Sequence, residues 1–354
     1  MFEAFVAICL LASGDAEAGT QAQQRCRTAL LPGFASDSQA DCQAGVRARP
    51  PAWLAKTSAG APYCEPRPPT RLAFVEAAPG LFVHRGAIAE PDAENAGDVS
   101  NIAFVVGADS IAVIDAGGSR QVGEQVYLSI RAISDLPISH LILTHMHPDH
   151  VFGAEPLREA GAQIVGQMNL PRALADRAGT YETSFGRLIG APAFLGSRII
   201  APDRTVATSE RIDLGSRAIE LKAWPTAHTA TDMTVLDLSS EVLIAGDLVF
   251  HEHAPALDGS LKGWRSVLGD LSRRPARRVV PGHGGPVLDW PRGAETLERY
   301  LAVLETDTRA ALAAGLTLNA AAAVIGAGEA GHWQLFDLYN PRNATVAFTE
   351  LEWE

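Results

Sequence analysis

The stretch "THMHPDHVFG", Thr144 to Gly153, places three histidines and one aspartate within six consecutive positions, directly after the apolar run "ISHLIL". The apolar run predicts a buried strand, so these side chains stand where that strand ends. His145 and His147 project to one side of an extended segment, whereas Asp149 and His150 begin the turn into the next helix. Imidazole nitrogen and carboxylate oxygen are ligands of divalent ions such as zinc. The stretch therefore predicts a metal site at a strand end.

Three further candidate ligands follow other apolar strands of the chain. They are His228 in "PTAHTATD", Asp247 in "IAGDLVF" and His283 in "VVPGHGG". Small or turn-forming residues flank each of them, which lets the backbone turn tightly after the strand. Four ligands within six residues cannot all reach one tetrahedral ion without strain, since a bond to zinc is only ~2.0–2.2 Å long. The full set of ligands therefore predicts two ions.

The order of the predicted elements indicates two sheets. "NIAFVVGADSIAVIDAGGS" predicts two strands ending at Asp115, followed by a helix at 121–134, the strand "HLILT", a short helix at 155–160 and the strand "AQIVG". Later, "ERIDL", "RAIELKAWP", "TDMTVLDLS" and "EVLIAGDLVF" predict an antiparallel run, followed by a helix at 263–272 and the strand "RRVVPGHG". Residues 171–200 are expected to form mixed helix and loop across the mouth of the site. This order favours a two-sheet α/β sandwich over a doubly wound parallel sheet.

The N-terminal part of the chain has a different composition. An apolar run at 5–12, followed by "AEA" at 16–18, is typical of a secretory signal peptide, although Glu3 stands where Lys or Arg is usual. We therefore expect residues 1–18 to be a signal peptide and the protein to be exported. The alternative is an apolar N-terminal strand or helix of a cytoplasmic protein. Residues 19–70 are predicted to form a cysteine-containing extension and linker.

The cysteines all lie in this N-terminal part, away from the histidine motifs, and are not expected to bind metal. They are Cys9, Cys26, Cys42 and Cys64. If Cys9 left with a signal peptide, the remaining three would form one disulfide and one free thiol in an oxidising compartment. Cys26 with Cys42 is the predicted pair, because Cys64 lies in a Pro-rich stretch. Free, reduced thiols are the alternative.

The charge of the chain favours small molecules as partners. The formal net charge is −12 and there is no Lys/Arg-rich block, so we expect neither nucleic-acid binding nor attraction to an anionic membrane. Beyond the N-terminal run, no stretch approaches the ~20 apolar residues of a membrane span. Hydrophobic residues make up 47% of the sequence, which is enough for a large core.

Taken in order, "HMHPDH", "AHTATD", "GDLVF" and "PGHGG" resemble the motifs of the metallo-β-lactamase-fold hydrolases. The resemblance implies a four-layer αββα sandwich over residues 71–291, with a C-terminal helical extension at 292–354 packing on it. It also implies two zinc ions as cofactors. The expected ligands of one ion are His145, His147 and His228. Those of the other are Asp149, His150 and His283, and Asp247 would bridge both ions.

The same resemblance implies a hydrolase in which a hydroxide bridging the metals attacks an ester, thioester, lactone or amide carbonyl. Asp149 is the expected catalytic residue, because it could orient the hydroxide and carry its proton. Asp115 and Thr144 are expected to hold the ligand loops by hydrogen bonds, although Asp115 is also typical of an ordinary turn. Asp247 stands where the best-known lactamases of this fold place Cys, so penicillin is not the expected substrate.

Three residues close to Asp247 in sequence are candidates for substrate contact. They are His251 and His253 in "HEH" and Trp264 on the helix that follows. A solvated loop for the two histidines, and a core position for Trp264, are the alternatives.

Two longer stretches resemble one branch of the family. "GDLVFHEHAPALDGSLKGWRSVLGDL" and the tail "LFDLYNPRNATVAFTELEWE" are similar to the SoxH-related branch, in particular to the quinoprotein relay system zinc metallohydrolases. This implies a periplasmic setting beside quinoprotein dehydrogenases that use pyrroloquinoline quinone. The alternatives are a mononuclear iron enzyme similar to the persulfide dioxygenases, which share H-x-H-x-D-H, and a metal-dependent accessory protein without enzymatic activity. Iron with oxygen uptake would identify the first, and a closed, ligand-saturated site would favour the second.

Overall fold

The protein folds into four main layers, with two sheets between two groups of helices. A computed structural model describes residues 1–10, 26–56 and 59–354 of the chain. Within these residues, a seven-stranded and a six-stranded sheet share one apolar layer, and helices cover the outer face of each sheet. The predicted αββα sandwich is confirmed.

The N-terminal residues form a small module with a sheet of its own. Its elements are β1 (Phe2–Cys9), β2 (Cys26–Ser36), α1 (Gln39–Ala48) and β3 (Tyr63–Pro66). The strand order is β2-β1-β3, and both pairings are antiparallel. Glu3 is buried and accepts hydrogen bonds from Arg67 and from Tyr127 of the sandwich. The expected cleavage near Ala18 lies outside the described residues, and removal of residues 1–18 would also remove the central strand of this sheet.

The cysteine pairing differs from the expected one. Cys9 is bonded to Cys26, and Cys42 is bonded to Cys64, so the expected Cys26–Cys42 pair is wrong. The expected odd thiol is wrong as well, since no cysteine among the described residues is free. Cys9 and Cys26 face each other in the register of β1 and β2. The prediction failed because it removed Cys9 with a signal peptide and did not foresee β1 as a strand of the module.

The first sheet carries the motif of Thr144–Gly153. Its strands are β4 (Phe74–Ala78), β5 (Leu81–His84), β6 (Ile102–Val106), β7 (Ile111–Ile114), β8 (Ile138–Ile142), β9 (Gln163–Gln167) and β10 (Arg204–Val206). They lie side by side in sequence order from β4 to β10. The strands β4 to β7 pair antiparallel, whereas β7 to β10 pair parallel, because helical crossovers connect them.

The second sheet carries the other three motifs. Its strands are β11 (Ser209–Asp213), β12 (Ala218–Ala223), β13 (Met233–Asp237), β14 (Val242–Phe250), β15 (Arg278–His283) and β16 (Leu288–Asp289). The predicted antiparallel run is confirmed for β11 to β14. A helical crossover then makes β14 and β15 parallel.

Helices lie on both outer faces. The first half of the sandwich contains α2 (Arg120–Ile133), α3 (Pro148–Val151), α4 (Ala154–Glu159) and α5 (Leu170–Ile189). The second half contains α6 (Leu261–Leu271), α7 (Glu295–Ala313), α8 (Leu318–Ala322) and α9 (Phe336–Leu351). α2 begins after Ser119, whose hydroxyl accepts a hydrogen bond from the Val122 amide and so caps the helix. The last three helices pack on the outer face of the second sheet. Among the helices of the described residues, none has the length and apolar run needed to cross a bilayer.

The alternation of residues along the strands divides the core into separate layers. On β6, Ile102 and Phe104 pack against α2 and α4, whereas Ala103 and Val105 face the second sheet. At the start of β14, Val242 and Ile244 face the inner layer, whereas Leu243 and Ala245 face the helices on the outer side. Because side chains of a strand alternate with a period of two, each buried strand contributes to two layers at once.

The two disulfides are expected to stabilise the N-terminal module independently. Their sequence separations are 17 and 22 residues, and chain-entropy estimates for loops of this size are about 3 kcal/mol each. We expect Cys9→Ser/Cys26→Ser and Cys42→Ser/Cys64→Ser each to lower the free energy of unfolding by about this amount in denaturant titrations. Peptide mapping without reduction should recover the same two pairs, and a Cys26–Cys42 cross-link would contradict this arrangement.

Candidate metal centre

The candidate ligands meet at one edge of the sandwich because several strands end there. β7 and β8 run parallel, as do β14 and β15, so the carboxyl ends within each pair lie at the same edge. The residues at or after these strand ends and after β12 are Asp115, His145 to His150, His228 and His283. Asp247 lies within β14, next to an irregularity in the pairing of this strand with β15.

The structure brings all the predicted ligands together in two groups. One donor atom from each residue lies within 4.8 Å of those of its group, which are His145, His147, His228 and Asp247 in the first group and Asp149, His150 and His283 in the second. All of them except His147 and Asp149 are buried, and these two are half-buried. The arrangement offers two adjacent places for a cation.

Asp247 lies between the two groups. Its Oδ2 atom is 3.3 Å from Nε2 of His228 and 3.6 Å from Nε2 of His145, both in the first group. Its Oδ1 atom is 3.2 Å from Nε2 of His150, and Oδ2 is 3.4 Å from Nε2 of His283, both in the second group. This carboxylate is therefore placed to act as a ligand shared by two ions.

Three buried atoms at the centre form no hydrogen bond within the described part of the chain. They are Nε2 of His145, Nε2 of His150 and Oδ1 of Asp247. A buried polar atom left without a partner costs about 1–3 kcal/mol, and coordination of metal ions would satisfy all three. Gly282 keeps the space open, because a Cβ atom there would lie 1.9 Å from Oδ1 of Asp247. The residues fit a metal centre.

Asp115 and Thr144 hold two of the ligands in place. Asp115 accepts hydrogen bonds from the amide and the hydroxyl of Thr144, each at 2.8 Å. Its Oδ2 atom also lies 2.8 Å from Nδ1 of His150, and the Thr144 hydroxyl lies 3.0 Å from Nδ1 of His145. The backbone φ of Asp115 is 62°, a left-handed conformation that Asp and Asn tolerate better than most residues. The Nδ1 contacts leave Nε2 of both histidines directed at Asp247.

Backbone carbonyl groups hold two further ligand rings. Nδ1 of His228 lies 2.6 Å from the Ala256 carbonyl oxygen, and Nδ1 of His283 lies 2.9 Å from that of Val99. In a neutral ring each Nδ1 would donate its proton to this oxygen, so that Nε2 keeps a free lone pair for a metal.

Asp258 positions His147, a role that the sequence analysis missed. Oδ2 of Asp258 lies 3.2 Å from Nε2 of His147, so Nδ1 of this ring faces the metal centre. Arg177 of α5 donates a hydrogen bond to the same oxygen at 2.5 Å. Burial would raise the pKa of Asp258, but His147 and Arg177 lower it to about 2. No sequence motif marks this contact, since the two residues of the pair are separated by 111 positions.

The two groups differ in how readily their histidines give up a proton. Burial lowers the pKa of His145 well below its usual value and that of His228 to about 3. Burial also disfavours charge on His150, but Asp247 and Asp149 outweigh it and hold the pKa of His150 well above its usual value. A metal bound at the second group must therefore displace a proton, which makes binding there weaker at low pH.

A cavity of about 550 Å³ opens above the two groups. Its floor includes His147, Asp149, Asp247 and His283, and its walls come from α5, α9 and the loops at 89–91 and 256–258. Apart from Leu170, α5 lies within the segment 171–200 that was expected to cross the site mouth. The contribution of α9 was not expected.

The three candidates for substrate contact have different positions. His253 lines the cavity, and its ring centroid is 4.8 Å from that of His283. His251 does not line it. The substrate contact expected of Trp264 is wrong, because this side chain is 0% exposed and packs beneath His228, with ring centroids 5.1 Å apart. Trp264 is close to Asp247 in sequence, but it lies on the apolar face of its helix, and this face packs into the core.

A comparison with known protein families identifies the superfamily of this chain. The family description "Metallo-beta-lactamase superfamily" matches residues 96–283, just over half of the chain. The chain belongs to the metallo-β-lactamase superfamily. This match ends at His283, so the N-terminal module and the helices α7 to α9 lie outside it.

Solved structures of other superfamily proteins share the fold at low sequence identity. A metallo-beta-lactamase from Pontibacter korlensis is 22% identical with a TM-score of 0.53, over 66% of this chain and 99% of that one. TMB-1 is 19% identical with a TM-score of 0.52, over 66% of this chain and 98% of that one. The stereoselective inverting sec-alkylsulfatase Pisa1 from Pseudomonas sp. is 16% identical with a TM-score of 0.62, over 79% of this chain and 50% of that one. At such identities these likenesses show the fold alone.

We expect Asp115→Asn to weaken metal binding by about 10- to 100-fold, as is usual when a carboxylate that orients a ligand histidine is removed. Asn tolerates the left-handed backbone at this position, so the fold should persist. Competition with a chromogenic chelator measures the affinity, and Asp289→Asn, an exposed position on β16, is the matched control. Unchanged affinity in Asp115→Asn would show that the hydrogen bonds of Asp115 do not support the ligands.

Proposed function

We propose that the protein is a binuclear zinc hydrolase. The observation that carries the proposal is the position of Asp247, whose carboxylate contacts histidines of both groups. A shared carboxylate reduces the repulsion between two cations that lie close together. The surrounding donors are histidine and aspartate side chains, which suit zinc.

Zinc, when bound, would lower the pKa of water toward neutrality and polarise a carbonyl oxygen. The protein's own contribution is orientation. Asp149 lies on the cavity floor, with Oδ2 3.3 Å from Nε2 of His283 and 3.5 Å from Nε2 of His150. Burial alone would raise the pKa of Asp149, but His150 and His283 hold it well below its usual value. As an anion, Asp149 can accept a hydrogen bond from the attacking water and orient it.

The substrates that we propose are small esters, thioesters, lactones or amides. A cavity of about 550 Å³ lies in the size range of small-molecule sites. Aspartate at position 247, in place of the cysteine of the best-known lactamases, supports a carbonyl substrate other than a penicillin.

A periplasmic setting beside a quinoprotein dehydrogenase system is part of the proposal. It is supported by the resemblance to the SoxH-related branch and by the two disulfides, which are typical of oxidising compartments. The proposal does not include cleavage near Ala18, because that cleavage would remove Cys9 and with it the Cys9–Cys26 bond. Four reduced cysteines in the cellular protein would contradict this part.

Metal counting tests the binuclear site directly. We expect two zinc ions per chain by elemental analysis, and hydrolysis of at least one compound in a panel of esters, thioesters, lactones and β-lactams. Asp247→Ala should lose at least one ion, whereas Asp289→Ala should keep both. One tightly bound iron ion with oxygen uptake would favour the persulfide dioxygenase alternative. One ion in both variants and in the wild type would contradict the shared-ligand role of Asp247.

Asp149→Asn separates metal binding from catalysis. The amide oxygen can still coordinate weakly, but it cannot accept a proton. With zinc saturated and counted in the same sample, we expect the rate per bound zinc to fall by about 10²–10⁴-fold, the usual contribution of a general acid–base group. A variant with full zinc and a near-normal rate would mean that Asp149 acts as a ligand only.

A further inference from the structure

The cavity has walls of different character. Phe185 and Leu188 of α5 present apolar side chains on one side, and Tyr339 and Arg342 of α9 stand among the remaining lining residues. The metal ligands form the floor. A substrate whose carbonyl group lies over the floor therefore has an apolar surface and a polar, cationic surface within reach.

The carboxylates that line the cavity each have a partner. Asp149 and Asp247 belong to the metal centre, and Asp258 is bonded to His147 and Arg177. Glu90 accepts a hydrogen bond from the Tyr339 hydroxyl at 2.7 Å. Among the described ion pairs, none joins any of these carboxylates to the one cationic side chain on the wall.

Arg342 is that cation. It is the one Arg or Lys side chain among the lining residues, all of which belong to the described part of the chain, and it is exposed. Its guanidinium carbon lies 5.7 Å from the centroid of the Tyr339 ring, and among the described ion pairs none involves it. The Tyr339 ring is in turn fixed by Glu90 and by His253, whose ring centroid is 4.9 Å away. The guanidinium therefore stands beside a rigid aromatic ring with its donors free.

We propose that Arg342 binds an anionic group of the substrate, of the carboxylate type, at the end distant from the scissile carbonyl, while Phe185 and Leu188 contact the apolar part. A guanidinium presents paired donors that match the oxygens of a carboxylate. That the bound anion is part of a substrate rests on the proposed hydrolase function. The anion site itself is a property of the cavity and does not depend on that function. Because α9 lies beyond residues 96–283, this site belongs to the C-terminal extension and not to the part of the chain that matches the superfamily.

The test compares two thioesters that differ in one distal group, S-phenylacetyl 3-mercaptopropanoate and its carboxamide. Binding is measured by calorimetry or ligand-observed NMR on the zinc-loaded full chain with the matching pair of thioethers, in which CH2 replaces the scissile carbonyl. Hydrolysis is measured on the same protein with the two thioesters. The variants are Arg342→Gln, Arg342→Lys and Arg187→Gln. Arg187 lies exposed on α5, does not line the cavity, and carries the same change in net charge.

We expect the wild type to prefer the carboxylate over the carboxamide by about five- to tenfold, the range for a charged hydrogen bond that is partly open to solvent. Arg342→Gln should abolish the preference, Arg342→Lys should keep part of it, and Arg187→Gln should keep all of it. In hydrolysis the preference should appear in KM and not in kcat, because the contact is distant from the reacting atoms.

Two failures can be told apart. Equal affinity of the wild type for both compounds, or a preference that survives in Arg342→Gln, would overturn the anion site. If the binding preference follows Arg342 but the zinc-loaded protein hydrolyses neither compound or any other panel member, the anion site stands and the proposed hydrolase function fails.

Discussion

The cost of burying charge is the constraint on which this structure depends. Seven ionisable side chains lie together at one edge of the sandwich, and three of their buried atoms form no hydrogen bond within the described residues. The histidines are oriented from outside by Asp115, Thr144, Asp258 and two backbone carbonyl groups, so their free nitrogens converge on Asp247. Without metal, protons on His150 and His283 compensate the carboxylates, because Asp247 and Asp149 raise the pKa of both histidines. Cations bound at the centre would replace these protons, so the charge stays compensated and does not incur the several kcal/mol of an unpaired buried ion. The fold orients the candidate ligands, and metal binding would in turn stabilise the folded edge.

The same constraint is met without metal where the N-terminal module joins the sandwich. The side chain of Arg120 is fully buried at the start of α2, with Glu124 at 2.9 Å and Glu159 at 2.7 Å. It also donates to the Leu30 carbonyl oxygen of β2, and its guanidinium lies 4.8 Å from the Trp53 ring centroid. Removing one partner would leave a buried charge uncompensated. The module is therefore joined to the sandwich by a network that no part of the sequence marks as a motif.

The sequence allowed the clustering of the candidate ligands to be predicted because most of them follow an apolar strand, and strand ends meet at one edge. Asp247 differs, since it lies within β14. The antiparallel order of β11 to β14 and the two-sheet architecture followed from the same pattern. Contacts made across long separations could not be predicted in this way. Asp258 reaches His147, and α9 reaches the cavity, only because the helices pack as they do. Trp264 was misplaced because its proximity to Asp247 in sequence does not determine which way its helix turns it. The pairing of Cys9 was missed because residues 1–18 were expected to leave as a signal peptide.

The C-terminal helix α9 connects substrate recognition with the geometry of the metal centre. Buried Asn343 donates a hydrogen bond to the Pro255 carbonyl oxygen at 2.6 Å and accepts one from the Leu257 amide at 2.9 Å. These bonds fix the short loop whose Ala256 carbonyl orients His228 and whose Asp258 orients His147. Tyr339 and Arg342 of the same helix face the cavity. A shift of α9 would therefore move the cavity wall and two candidate metal ligands together, so a helix outside the superfamily match couples the shape of the cavity to the orientation of these ligands.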